Sequence, residues 1–189
     1  LKAHSIKTDN ANVSKKVSLR KQATSHLENL RVLDLFAGNN VLWSEFNCDR
    51  YYGIEKERGK GKNLTADNMR VIASLDLSNF NVIDADSYGI PFNQISELFK
   101  NRTLAEGTVI VYTCITNKMS SLNKNCLNHF GLRRMYKKCK TLLNAKAHEL
   151  FYAYLYDNGV REIFKYTEIT SFRKDYGYFI VPNRRLQRF

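Results

Sequence analysis

Three acids stand where an α/β protein would use them. Asp34 lies in the short apolar run 31–35, Glu55 ends a second run at 51–55, and Asp86 follows a third at 81–84. A carboxylate at the carboxyl end of a parallel strand faces the crevice where open α/β sheets take their ligands. Between the first two acids is Gly38, whose missing side chain lets a ligand approach the backbone. A helix expected after it would present free N–H groups. Glu55 comes 17 residues after Gly38, close to the spacing at which a carboxylate accepts both hydroxyls of a ribose. Together these features describe a nucleoside pocket. Taken singly, each has a plainer role: Asp34 as a buried acid satisfied by turn amides, Glu55 as a solvated strand end, Asp86 as an Asx-turn or helix cap, and Tyr88 as an aromatic packed on the next helix.

The elements that must position these residues follow from the apolar pattern. Residues 31–35, 51–55, 81–84 and 108–112 read as strands, the last being the most apolar. Apolar residues at helical spacing mark 41–46, and Phe92, Ile95, Leu98 and Phe99 mark another helix. Such alternation predicts a doubly wound, mostly parallel sheet with both faces covered. Residues 60–67 read as a short helix and 70–74 as a strand leading to Asp76, with a continuous helix through Ala73 fitting nearly as well. Leu132, Met135, Tyr136, Cys139, Leu142 and Leu143 outline one helix face, and 150–156 continue helical to a stop at Asn158-Gly159. Residues 162–170 and 178–181 read as two final strands joined by a basic turn at 173–177. Residues 1–22 are polar and basic and read as an arm, helical near its end, ahead of one domain at 23–189.

The residues around Gly38 resemble a family. Leu33-Asp-Leu-Phe-Ala-Gly-Asn-Asn40 is similar to the first motif of class I AdoMet-dependent methyltransferases, usually Asp-Leu-Phe-Ala-Gly-x-Gly, and Tyr52-Gly-Ile-Glu55 resembles their second. The resemblance covers residues 31–115. It implies a Rossmann-like single domain that binds S-adenosyl-L-methionine. Asp34, Phe36, Ala37, Gly38 and Asn40 would surround the methionine part, Glu55 with Lys56 beside it would hold the ribose, and Asp76 would face the adenine. Asn40 departs from the pattern, standing where the family often has glycine. A dinucleotide-binding domain is disfavoured, because Gly38-Asn-Asn40 lacks the glycines needed beside a pyrophosphate.

Asp86-Ser-Tyr-Gly-Ile-Pro91 resembles the Asp-Pro-Phe-Gly-Ser-Pro of tRNA guanine exocyclic-amine methyltransferases in four of six places. An exocyclic amine is a poor nucleophile, its lone pair being delocalised into the ring. The resemblance implies that Asp86, or a carbonyl beside it, orients the amine while Tyr88 stacks on the base and Ser87 helps to bind it. No metal is required. Ser87 replaces the family's proline and leaves open which amine is meant. Val111-Tyr-Thr-Cys114 offers a rival, resembling the Thr-Cys of RNA cytosine-C5 methyltransferases, whose thiolate attacks the ring. The companion Asp-Ala-Pro-Cys is absent, since the chain has Asp84-Ala-Asp-Ser87, and a buried, inert Cys114 is the simpler identity.

Composition narrows the partner. The chain has 189 residues, 43% of them hydrophobic, enough for a core without disulfide or metal staples. Lysine and arginine number 30 against 18 acids, a net charge of +12 that favours polyanions, nucleic acid first. RNA is expected over DNA. Docking is expected from the N-terminal arm, from Arg133, Arg134 and Lys137 on a helix face reaching Lys140, from Arg173-Lys174, and from Arg184, Arg185 and Arg188, with a protein partner as a further source of recognition. Cys48, Cys114, Cys126 and Cys139 form no CxxC pair, and the four histidines show no metal spacing, which suits reduced thiols in a cytoplasmic protein. No apolar stretch approaches the ~20 residues needed to span a bilayer. Two further readings share these motifs: a catalytically degenerate fold that only binds nucleic acid, and a methyltransferase acting on protein or a small molecule.

Overall fold

β4 (Val82–Ala85) and β5 (Val109–Thr116) are buried along nearly their whole length, as strands covered on both faces must be. The structure, a computed structural model, describes residues 12–58, 64–116, 122–170 and 173–183. Around these two strands the described residues form one seven-stranded sheet. The other strands are β1 (Leu30–Asp34), β2 (Cys48–Glu55), β3 (Leu64–Thr65), β6 (Phe164–Ile169) and β7 (Arg173–Ile180). The order is β3-β2-β1-β4-β5-β7-β6. The β1–β2, β1–β4, β2–β3 and β4–β5 pairs are parallel, while β7 runs antiparallel to both β5 and β6. The expected doubly wound α/β sheet is therefore what the chain forms.

Strand alternation sends side chains to two cores. Leu33, Ile83, Ala85, Ile110, Tyr112 and Cys114 enter the larger one. There they meet α2 (Asn68–Ser74), α3 (Phe92–Lys100) and the run α4 (Lys124–His129), α5 (Arg133–Lys138), α6 (Lys140–Ala145) and α7 (Ala147–Asp157). Phe92, Ile95 and Leu98 put one face of α3 into this core, each burial being worth roughly 1.5–3 kcal/mol. Val32, Val82, Val109 and Val111 line the other core, with Trp43 and with Ala23 of α1 (Val13–Thr24).

Several expectations need correction. The expected break between arm and domain at residues 22–23 falls inside α1, which packs on β5 and β7 and buries Val17, Arg20, Ala23 and Thr24. Residues 1–11 lie outside the described residues, as does the basic tail with Arg184, Arg185 and Arg188. Residues 41–45 are turn rather than helix, because Trp43 turns inward to hydrogen-bond across the sheet. Residues 70–74 belong to α2, not to a strand: Asp67 caps the helix, its side chain accepting from the N–H groups of Met69 and Arg70. The expected helix at 60–67 has residues 60–63 outside the described ones, and 64–65 are β3. The helix face at 132–143 is broken at Cys139 and leaves Met135 and Leu142 exposed. Residues 173–177 are strand, paired with β5 from Arg173↔Thr116 to Gly177↔Tyr112, so the reversal falls between Ile169 and Arg173.

Candidate active site

The carboxyl ends of β1 and β2 carry the first two acids. The β1–β2 register pairs Asp34 with Gly53, two residues short of Glu55. Asp34 is buried, and its Oδ1 accepts the Phe36 N–H at 3.0 Å, folding the chain sharply after the strand. Ala37 donates its N–H to the Ile54 carbonyl at 3.1 Å, fastening the turn to β2. Gly38 follows with φ 51°, and nothing lies within 4 Å of where its Cβ would stand. Asn40 has φ 63°, a left-handed conformation that asparagine tolerates better than most residues, so the family's glycine can be replaced here without changing the turn.

Tyr51 ties this turn together. Its hydroxyl oxygen lies 3.0 Å from Asp34 Oδ2 and 3.3 Å from Asn40 Oδ1. The hydroxyl donates to Asp34 at the shorter distance, with the Asn40 side-chain oxygen within reach of the same hydrogen. Burial, together with the neighbouring Asp84 carboxylate, pushes the Asp34 carboxyl up to about 8. The Tyr51 hydroxyl donates to Asp34 and the Phe36 N–H does the same; both pull the other way but do not cancel the effect of burial.

Glu55 is pinned at the end of β2, where its Oε1 accepts the N–H groups of Lys56 at 2.8 Å and Glu57 at 3.1 Å. Asp76 is not near it. The short α2 carries the chain from the carboxyl end of β3 back to the amino end of β4, so Asp76 lies at the opposite edge. It caps a short 3-10 turn there, accepting from the Ser78 N–H at 3.0 Å. The acid at the carboxyl end of β3 is Asp67, followed by Asn68, whose amide donates to the Leu35 carbonyl at 3.2 Å. A strand of two residues gave no apolar run by which the sequence could have marked them.

Asp86 sits just past β4 with its side chain only 9% exposed. Lys16 of α1 reaches both its oxygens, at 2.9 and 2.8 Å, and Arg20 lies 3.8 Å away. Burial alone would raise this carboxyl; Lys16 and Arg20 outweigh burial, with help from Thr113, and hold it below the ordinary carboxylate value. One turn along α1, Arg20 donates to Asp84 Oδ2 from Nε at 2.7 Å, with Nη2 also at 2.7 Å, and Trp43 Nε1 adds a bond of the same length. Two cations four residues apart on a helix thus meet one acid on β4, Asp84, and one just past its end, Asp86. Lys16 and Arg20, expected to dock a polyanion as part of the N-terminal arm, are instead engaged by Asp86 and Asp84, while Trp43 and Tyr51, outside any motif, had no role assigned from the sequence.

Tyr88 is 69% exposed on the loop beyond Asp86. Ser87 is buried beneath it, its hydroxyl 3.4 Å from the Gly89 carbonyl and 3.5 Å from that of Thr113. Arg133, Arg134 and Lys137 lie on α5, which packs on α4 and α6, so their placement on the helix does not bring them into the Asp86 cluster. Cys114 is fully buried in the larger core, and burial pushes its thiol well above the ordinary value. Such a thiol is a poor source of thiolate.

No family model and no curated protein matches the chain. Solved structures do. EvdMO1 superposes with a TM-score of 0.54 and 14% identity over 90% of this chain and 41% of its own. Trm1 from Pyrococcus horikoshii, in complex with S-adenosyl-L-methionine, gives 0.54 and 15% over 92% of this chain and 55% of its own. A putative class I S-adenosylmethionine-dependent methyltransferase from Listeria monocytogenes gives 0.50 and 14% over 91% and 59%. The fold is that of the class I methyltransferases. The chain spans about half the length of these neighbours.

The residues present fit the sulfonium nucleoside that this fold implies. Gly38 leaves open space at the end of β1, Glu55 offers a fixed carboxylate for a ribose diol at the end of β2, and Asp67 and Asn68 offer polar groups for an adenine at the end of β3.

Proposed function

We propose that this protein is an AdoMet-dependent methyltransferase acting on an exocyclic amine of a base in RNA. The observation that supports the reading is that the Gly38 turn, Glu55 and the Asp86–Tyr88 loop all lie at or just past the carboxyl ends of the adjacent parallel strands β1, β2 and β4. Gly38, Asn40, Glu55 and Asp67 hold the cofactor, with Phe36, Ala37 and Lys56 flanking it. When bound, the cofactor supplies an electrophilic methyl group on sulfur. The net charge of +12 and the likeness of residues 86–91 to a tRNA guanine-amine motif support nucleic acid, and RNA before DNA, as the partner.

Positioning does most of the chemistry. Asp86 is kept ionised by Lys16 and Arg20, and each carboxylate oxygen has lone pairs beyond those that Lys16 uses. It accepts a hydrogen bond from the target amine and turns the nitrogen lone pair out of conjugation. Tyr88, with its ring exposed, stacks on the base, and Ser87 holds the loop beneath it. Arg133, Arg134 and Lys137 contact phosphates away from the reacting base.

Transfer of labelled methyl from AdoMet to bulk RNA, followed by nuclease digestion and nucleoside analysis, tests this reading. A base-methylated nucleoside is expected, with the rate reduced about 100-fold in Asp86→Asn. Label that resists nuclease would assign the activity to protein or a small molecule. A second reading, nucleic-acid binding without methyl transfer, draws on one observation: Lys16 already engages both Asp86 oxygens. Salt-dependent RNA binding with no label transferred would favour it.

A further inference from the structure

β6 is an edge strand, and it does not hide its rings. Phe164 is 44% and Tyr166 46% exposed, two residues apart and so on the same face of the sheet. Each pairs across the ladder with a tyrosine of β7. Phe164 stacks on Tyr178 at 4.8 Å and 11°, and Tyr166 on Tyr176 at 6.5 Å and 18°. Among the described residues, no strand lies beyond β6 on this edge to cover the far side of each ring.

Cations accompany the rings. Lys15 of α1 donates to the Tyr166 hydroxyl at 3.0 Å and lies 4.8 Å from the ring centre. Glu168, the acid of β6 on this side, is already occupied: it accepts from Asn12 at 2.7 Å and has Lys15 at 4.0 Å. The row also leads inward. Tyr176 pairs with Thr113 of β5, and Lys16 lies 5.7 Å from the Tyr176 ring while gripping Asp86. Exposed rings at the rim thus continue through Tyr176 and Lys16 to the carboxylate assigned to the target amine.

We infer that this face of the β6–β7 hairpin is a docking track for single-stranded RNA, with bases stacking on Phe164 and Tyr166 and Lys15 meeting a phosphate. Rings accept any base because every base has a π-face, and adjacent ammonium groups answer the backbone charge. A second copy of this chain would bring the same cations to the same rings, so charge complementarity favours the polyanion. The inference rests on RNA being the substrate and says how the strand reaches the site.

Fluorescence anisotropy with a labelled, unstructured RNA oligonucleotide tests it, with a duplex of the same sequence as competitor. Phe164→Ala and Tyr166→Ala should each weaken single-strand binding about tenfold, Tyr166→Phe should retain it, and Lys15→Ala should lower the salt slope by about one. AdoMet affinity, read by calorimetry on the same samples, should stay unchanged in all four. Unaltered RNA binding by the Phe164→Ala/Tyr166→Ala double variant overturns the track, as does tighter binding of the duplex. Self-association that the double variant abolishes, with RNA binding intact, would make this edge an interface between copies and likewise overturn it. If methyl transfer to RNA persists in any of these cases, the track alone falls; if wild type neither binds nor methylates RNA, the proposed function falls with it.

Discussion

Asp34 and Asp84 are register partners on the parallel strands β1 and β4, both buried, with their carboxyl groups on the same face of the sheet. Two carboxylates so placed cannot both ionise cheaply. Asp84 Oδ2 has three N–H groups around it and takes the charge, although burial pushes it up too, while Asp34 keeps the proton.

A pH dependence follows. The folded-state value of Asp34, about 8, lies above the ordinary 3.8, so between the two the native state binds more protons than the unfolded chain. The contribution is fully present below pH ~4 and is lost as pH rises through ~8. Thermal unfolding followed from pH 5 to 9 should show Tm falling, and Asn at position 34 should flatten that fall. An equally steep decline in Asp34→Asn would place the titrating group elsewhere.

Arg20 should matter more than its place in a polar helix suggests. Arg20→Met leaves Asp84 as a buried charge without its ion-pair partner, a loss of about 3–5 kcal/mol in urea unfolding. Arg20→Lys keeps the charge and should lose less. A loss under 1 kcal/mol in Arg20→Met would mean that α1 is not anchored by this pair.

Gly177 lies where β7 crosses the Tyr112 ring. An added Cβ would stand 2.5 Å from the Tyr112 hydroxyl and 2.8 Å from the Phe164 carbonyl oxygen. Gly177→Ala should therefore destabilise by about 1–3 kcal/mol and loosen the β6–β7 hairpin, read as faster amide exchange in β6.

Under the proposed function, Cys114→Ala should methylate RNA at close to the wild-type rate, because the thiol is buried in the core and held in its neutral form. A fall of a hundredfold or more, in a protein that still unfolds cooperatively, would restore the cysteine nucleophile.

The sheet was legible because its central strands are continuous apolar runs, and the Asp34, Gly38 and Glu55 cluster because the residue types and spacing survive in sequence. α1 was not legible as part of the domain. Its inward positions read Lys16, Val17, Arg20, Ala23 and Thr24, a face that makes sense only against the acids of β4. Residues 41–46 misled for the opposite reason: Leu42, Trp43 and Phe46 have helical spacing, yet Trp43 serves a hydrogen bond to Asp84 that no periodicity encodes. Asp76 drew attention from Asp67 because β3 is too short to announce where it ends.

Calorimetric titration with AdoMet, of wild type and of Glu55→Ala, tests the central claim most directly. Wild type should bind saturably, on the order of micromolar to millimolar, and at least tenfold more weakly once the charged acceptor is removed. No heat above background in wild type, or equal affinity in Glu55→Ala, would contradict it.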